Sequence, residues 1–277
     1  DIYIHWGGSS MIDYVEAGQC ADITEFMEKD NYKDQFVDAG IEQCTYDGKI
    51  YAMPVENISV AGIFYNKDVF EKYGLEEPKT LTELEAICDK LVEEGIAPFA
   101  LANATKWTGS MYYQYFATRK GGLEPFQNAA AGTGSFEDEA FVYAGEKIQE
   151  WVEKGYFNEG FNGMDDDSGQ ARQLFYTGQA AMDLMGSWFP GTVIGENPDF
   201  IEHVGFFPFP ELEGSDADQS LCVGTVGDNL YSISENCEDK EGAFKLLQSL
   251  LDEEAQKERK SFGKIIPLKN FEAEDEL

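Results

Sequence analysis

Hydrophobic positions along the chain alternate between two periods, the pattern of an α/β architecture in which strands and helices follow one another. Asp1-Ile2-Tyr3-Ile4-His5-Trp6 opens as a strand with Ile2, Ile4 and Trp6 on one face, and Gly7-Gly8-Ser9-Ser10 after it reads as a flexible turn. A polar helical region leads to the turn Tyr46-Asp47-Gly48-Lys49, and strands are predicted over 50–54 and 60–65. Thr80-Leu81-Thr82-Glu83 is a capping box, since the Thr80 hydroxyl and the Glu83 carboxylate satisfy amides at a helix start. The helix it starts carries Leu84, Ile87, Cys88, Leu91 and Val92 on one face and stops at Gly95. A second helix carries Phe141, Ile148, Trp151 and Val152 and stops at Gly155; a third covers about 168–176 and ends near Gly178. Strand-like runs follow at 180–185, 204–207 and 230–233, and a last helix carries Phe244, Leu247, Leu250 and Leu251. There is no short repeat and no low-complexity linker. A chain that begins directly on a strand, with neither a start methionine nor a leader, is expected to be preceded by further residues in the natural protein.

The 277 residues suffice for one large domain or two smaller ones, and 43% hydrophobic content supplies a core. No stretch approaches the roughly 20 consecutive apolar residues of a membrane helix. Fifty-three acidic against 20 basic residues give a formal charge of −33. Nucleic acid and anionic lipid are disfavoured as partners, because both are bound by clustered basic residues. A neutral polar ligand remains compatible, and the acidity itself reads as a solubilising surface.

The five cysteines, Cys20, Cys44, Cys88, Cys222 and Cys237, contain no C-x-x-C, and His5 and His203 are the only histidines. Zinc-site spacing is therefore missing, and so is a disulfide framework. Cys88 reads as a small buried hydrophobe, and a pair such as Cys20–Cys44 is left open as a bridge. No nucleophile elbow, phosphate loop, dinucleotide fingerprint or zinc-protease motif occurs. Asp165-Asp166-Asp167 lacks the spaced ladder and glycine of a calcium loop and reads as a solvated helix cap. Asn57-Ile58-Ser59 and Asn103-Ala104-Thr105 fit a glycosylation pattern that arises often by chance. What remains is tryptophan beside glycine and small polar residues: Trp6, Trp107 and Trp188, with Trp151 assigned to the core by its place on a helical stripe. A sugar ring stacks its C–H face on an indole while its hydroxyls need carboxylate or amide partners, so such platforms suit a neutral carbohydrate.

Several segments in order resemble the extracellular solute-binding proteins of ABC sugar importers, the group that includes maltose-binding protein. They are Asp1–Gly8, the stretch from Tyr46-Asp47-Gly48-Lys49 through Gly62-Ile63-Phe64-Tyr65-Asn66-Lys67-Asp68, and Pro78-Lys79-Thr80-Leu81-Thr82-Glu83-Leu84. Phe175-Tyr176-Thr177-Gly178-Gln179-Ala180-Ala181-Met182 through Gly186-Ser187-Trp188 completes the set. Leu81 stands where the family usually has tryptophan. The family also begins with another strand, helix and strand, and runs on for several helices.

The resemblance implies a two-lobed α/β fold with a hinge and an interlobe ligand cleft, lobe one holding residues 1–56 and 225–277 and lobe two 57–224. It makes Trp188 the stacking platform of the second lobe and puts Trp107 and Tyr112 in a loop that adds aromatic contacts. Trp6, Ser9, Glu56 and Asn57 fall around the cleft and hinge, and Asp228 and Asn229 become hydroxyl partners. A monomer that delivers a neutral sugar, of oligosaccharide size, to permease subunits by hinge closure is implied, with no cofactor and no catalysis, outside the cell membrane or in the periplasm, lipid-anchored in the former case. Two other readings are carried. One is a glycoside hydrolase, for which 53 carboxylates make an acid pair numerically easy. The other is a binding protein for a polyamine or peptide, since tryptophans also cage cations.

Overall fold

A computed structural model describes residues 1–270, without the side chains of Ser9, Asn57 and 225–228. Among the described residues eight strands occur in chain order: β1 (Ile2–His5), β2 (Thr45–Tyr46), β3 (Lys49–Ile50), β4 (Met53–Asn66), β5 (Ala97–Ala100), β6 (Ala180–Gly186), β7 (Val204–Phe207) and β8 (Gly224–Ile233). The chain divides into two compact units, one of Asp1–Val60, Ser187–Thr192 and Gly224–Leu277, the other of Ala61–Gly186 and Val193–Val223. Residues 187–192, expected with the second lobe, thus group with unit one. The chain crosses from one unit to the other inside β4.

In unit one, β8 lies between β1 and the first half of β4, antiparallel to both, with a register shift between Pro54 and Ile58. The two strands expected at 50–54 and 60–65 are instead one, because ladder partners are present on both sides of Pro54, which sits at an irregular point of the ladder. The Asp47-Gly48 turn joins β2 to β3 with positive φ at both residues, as a two-residue hairpin needs. Met11, Ile23, Phe36, Met53, Leu230 and Leu247 anchor the core of this unit. All five cysteines are free, so Cys20 and Cys44 are not bridged, and Cys88 is a fully buried apolar residue as expected.

In unit two, the second half of β4 pairs with β6 and β7, and β5 runs parallel to β6. The capping box is present: Glu83 N–H donates to Thr80 Oγ1 at 3.3 Å and Thr80 N–H to Glu83 Oε2 at 3.2 Å. Leu84, Cys88 and Leu91 of that helix, Leu81–Glu93, are buried, whereas Val92 is exposed. Trp151 is fully buried, stacks on Phe99 at 5.4 Å and donates from its indole to Glu85 Oε1 at 2.9 Å. The largest departure is the helix Trp107–Gly121, for which the sequence shows no apolar stripe. Its five consecutive residues Tyr115, Phe116, Ala117, Thr118 and Arg119 are all buried, more than a full turn and both polar and apolar, so one-sided periodicity is lost.

Candidate functional site

Trp6 follows β1 and is 72% exposed, beside exposed Ile4, while His5 between them is buried. The strand face expected to pack is therefore open at Ile4 and Trp6, while Ile2 still packs against the core. The chain then turns at Gly7 (φ 70) and Gly8 (φ 54), and the helix Gly8–Glu16 begins at once, in place of the flexible turn read from Gly7-Gly8-Ser9-Ser10. The backbone conformation at Gly7 demands glycine, and a Cβ there would also lie 2.7 Å from Leu230 Cδ1, so that side chain would have to shift. The side chains of Ser9, Asn57 and Asp228 lie outside the described residues.

Trp188 is half-buried in unit one, between β6 and the helix Phe189–Glu196. Ser187 beside it donates to the Ile58 carbonyl at 3.2 Å and accepts from Val60 N–H at 3.4 Å. Asn229 is half-buried on β8 in the left-handed region (φ 61), which asparagine tolerates better than most residues. Glu56 is committed within unit one. Its Oε1 accepts from the Tyr231 hydroxyl at 2.7 Å and its Oε2 pairs with Lys264 at 3.0 Å. Burial alone would push this carboxyl up, but those two partners hold it below the ordinary value. It reads as a strut between β4, β8 and the chain after a further helix, Glu253–Ser261, that follows the helix carrying Phe244 and Leu247.

In unit two, Trp107 opens its helix and is 37% exposed, so it lies on a helix start and not in the expected loop. A polar cluster that sequence reasoning passed over adjoins it: Asn103 Nδ2 donates to Asn162 Oδ1 at 2.8 Å, and Asn103 Oδ1 accepts from Gly109 N–H at 3.2 Å. Asn103 was read only as part of a chance glycosylation match. Tyr112 is corrected outright. It is 1% exposed, packed edge-on against Phe99 and Phe157, and touches no open surface.

A second polar group was half legible. Asp165 caps its turn by accepting from Asp167 N–H at 3.0 Å, as the acidic run suggested. Asp166, however, is half-buried against the buried Arg172, at 3.1 Å from Nη1, and Arg172 holds Glu196 through Nη2 at 2.7 Å. Nearby Asp183 on β6 is 3% exposed, and among the described residues no side chain pairs with it. Burial, then the Asp166 charge, pushes its carboxyl well above the ordinary value, against the pull of Arg172.

Set beside known proteins, residues 1–257 match the family model described as bacterial extracellular solute-binding protein. A relative in Pyrococcus horikoshii, an uncharacterized ABC transporter extracellular-binding protein, is 30% identical over 66% of this chain and 41% of its own length. A solved structure from work on xylan utilization by the thermophilic bacterium Caldanaerobius polysaccharolyticus superposes with a TM-score of 0.89 at 28% identity, over 98% of this chain and 69% of that one. A chitin oligosaccharide binding protein does so at 0.87 and 27%, over 98% and 67%. The chain spans about two fifths of the length of the first curated relatives it matches. Its fold is the two-lobed α/β fold expected from the sequence.

Proposed function

We propose a function from the premise that the chain belongs to the bacterial extracellular solute-binding protein family: it captures a neutral carbohydrate of oligosaccharide size. The observation that carries the reading is Trp6, a large indole left 72% exposed on a turn that only glycine can make. An exposed indole held by a rigid turn is a stacking platform for a sugar ring. Two structural neighbours at 27–28% identity come from xylan utilization and chitin oligosaccharide binding, which supports the same ligand class.

In this reading Trp6, Trp107 and Trp188 are the candidates for apolar contacts. Asn229 is a candidate hydroxyl partner, whereas Tyr112 takes no part. The protein acts as a monomer outside the cell membrane, lipid-anchored, or in the periplasm. Its two lobes close on the sugar and the closed form is delivered to permease subunits, with no cofactor and no chemical step.

The test is intrinsic tryptophan fluorescence against xylo- and chito-oligosaccharides, with spermidine as the cationic control. A saturable change with one sugar class, weakened about tenfold or more by Trp188→Ala and without product formation, is expected. A response to spermidine alone would assign the site to a polyamine. Turnover of the sugar would assign it to a hydrolase.

A further inference from the structure

His5 stands directly before Trp6, is 2% exposed, and has both ring nitrogens engaged. The Gly7 N–H donates to its Nδ1 at 3.1 Å. Its Nε2 lies 2.7 Å from Ser232 Oγ, and the Ser232 hydroxyl donates its one proton to the Tyr51 carbonyl at 2.7 Å. Ser232 can therefore only accept from the ring, which places the hydrogen on Nε2 and leaves Nδ1 as the lone-pair nitrogen. Only the neutral imidazole satisfies the whole chain. The groups facing it are Tyr3 from its own strand at 6.0 Å, Tyr14 from the helix Gly8–Glu16 at 6.2 Å, and Ser232 from β8. Behind Tyr3, whose hydroxyl is 2.7 Å from Cys20 Sγ, lies that thiol. No carboxylate is among them, and burial pushes the His5 ring below its ordinary value of 6.5.

Gly7 is pinned at both ends of its backbone. Its N–H is held by His5, and its carbonyl accepts from the Ser10 hydroxyl at 2.7 Å. Trp6 hangs from this turn.

We propose that His5 is a positioning residue and proton sensor for the Trp6 turn: neutral, it accepts the Gly7 N–H and fixes the indole, whereas protonated it sets N–H against N–H and releases the turn. The switch stands on the His5–Gly7–Ser232 geometry, and its consequence, acid-triggered loss of sugar, rests on the reading of Trp6 as a sugar contact. A receptor built this way captures near neutral pH and lets go in a more acidic medium.

The test is a nitrogen-15 NMR titration of the full chain from about pH 8 to about pH 5, a span that covers the ordinary histidine range. The Gly7 amide and Trp6 indole signals are expected to move together below about pH 6.5. His5→Asn keeps an oxygen close to where Nδ1 sits and takes up no proton, so both signals should stay flat. His5→Gln reaches Ser232 but leaves the Gly7 amide unpaired, and should show the released turn already at the upper end. With xylohexaose and chitohexaose as probes, the wild-type Kd of whichever binds should rise about tenfold across the same span, and that of His5→Asn less than about twofold. Flat Gly7 and Trp6 signals in the wild type overturn the proposal, and this arm decides alone if a variant fails to fold. An unchanged titration in His5→Asn overturns it too. Coupled NMR titration with neither sugar bound leaves the switch standing and removes the sugar reading instead.

Discussion

Both units match most of their buried polar groups, Arg119 of unit two donating to three carbonyls, but they differ in how their carboxyl groups are held. In unit one His5 is matched with Gly7 and Ser232, and Glu56 with Tyr231 and Lys264. In unit two Arg172 is shared between Asp166 and Glu196, and Asp183 lies close by with no partner among the described residues. Matched groups have their proton equilibria shifted so that acid harms them. His5 and Glu56 are both held below their ordinary values, 6.5 and 4.5, so their contribution is complete above those values and is lost as pH falls through the folded ones. Asp166 and Asp183 are pushed above 3.8, mainly by burial, so their contribution is complete below that value and is lost as pH rises through the folded ones. Acid therefore loosens the contacts of His5 and Glu56 in unit one; in unit two it relieves Asp166 and Asp183 but loosens Glu196, which Arg172 holds below its ordinary value.

The largest effect should come from breaking the shared cation. Arg172→Met removes the guanidinium and leaves Asp166 and Glu196 facing each other with Asp183 near. Taking one partner from a buried pair costs about 3–5 kcal/mol; because Glu196 is 34% exposed, the lower figure of about 3 kcal/mol is expected. Urea denaturation at neutral pH reads it, and a loss below about 1 kcal/mol would mean that the network is a surface feature.

A smaller effect of opposite sign is expected one strand away. Asp183→Asn removes a carboxyl whose ionised form burial penalises, so above the folded pKa of that carboxyl the variant should be more stable by about 1–2 kcal/mol. The gain should shrink as pH falls, because the wild-type carboxyl then takes up its proton. A variant less stable than wild type above that pKa would show that Asp183 is compensated after all, and the contrast between the units would lose its sharpest term.

These groups also show what a sequence discloses. The capping box at Thr80 and the stripe carrying Leu84, Cys88 and Leu91 were legible because they are local, with the signal and its partner within a turn or two. Tyr112 was misplaced because its helix is buried on several sides, and a helix without a polar face has no period to detect. The pairing of Glu56 was not legible because its partners, Tyr231 and Lys264, are 175 and 208 residues away. Asp183 was overlooked inside an apolar run, where nothing in the spacing says that a carboxyl will be buried. The three candidate tryptophans were found from their glycine neighbours. For Trp6 the reason became visible only in the fold, where Gly7 passes against Leu230.

The smallest stability effect should belong to the residue that matters most for the proposed ligand. Trp6 is 72% exposed and follows the last residue of its strand, so Trp6→Ala leaves no cavity and no unpaired donor in the core. Its melting and denaturation curves should stay within about 0.5 kcal/mol of wild type, the range for surface changes away from caps and strained backbone. The His5–Gly7 contact uses only the backbone of residue 7 and should survive, so the Gly7 amide should still titrate with acid. Sugar binding should nevertheless weaken by about tenfold or more, since a stacking indole is the kind of anchor on which affinity concentrates. Unchanged stability with lost binding assigns Trp6 to the ligand. Lost stability with unchanged binding would instead mean that the indole packs onto unit one and that its exposure misleads.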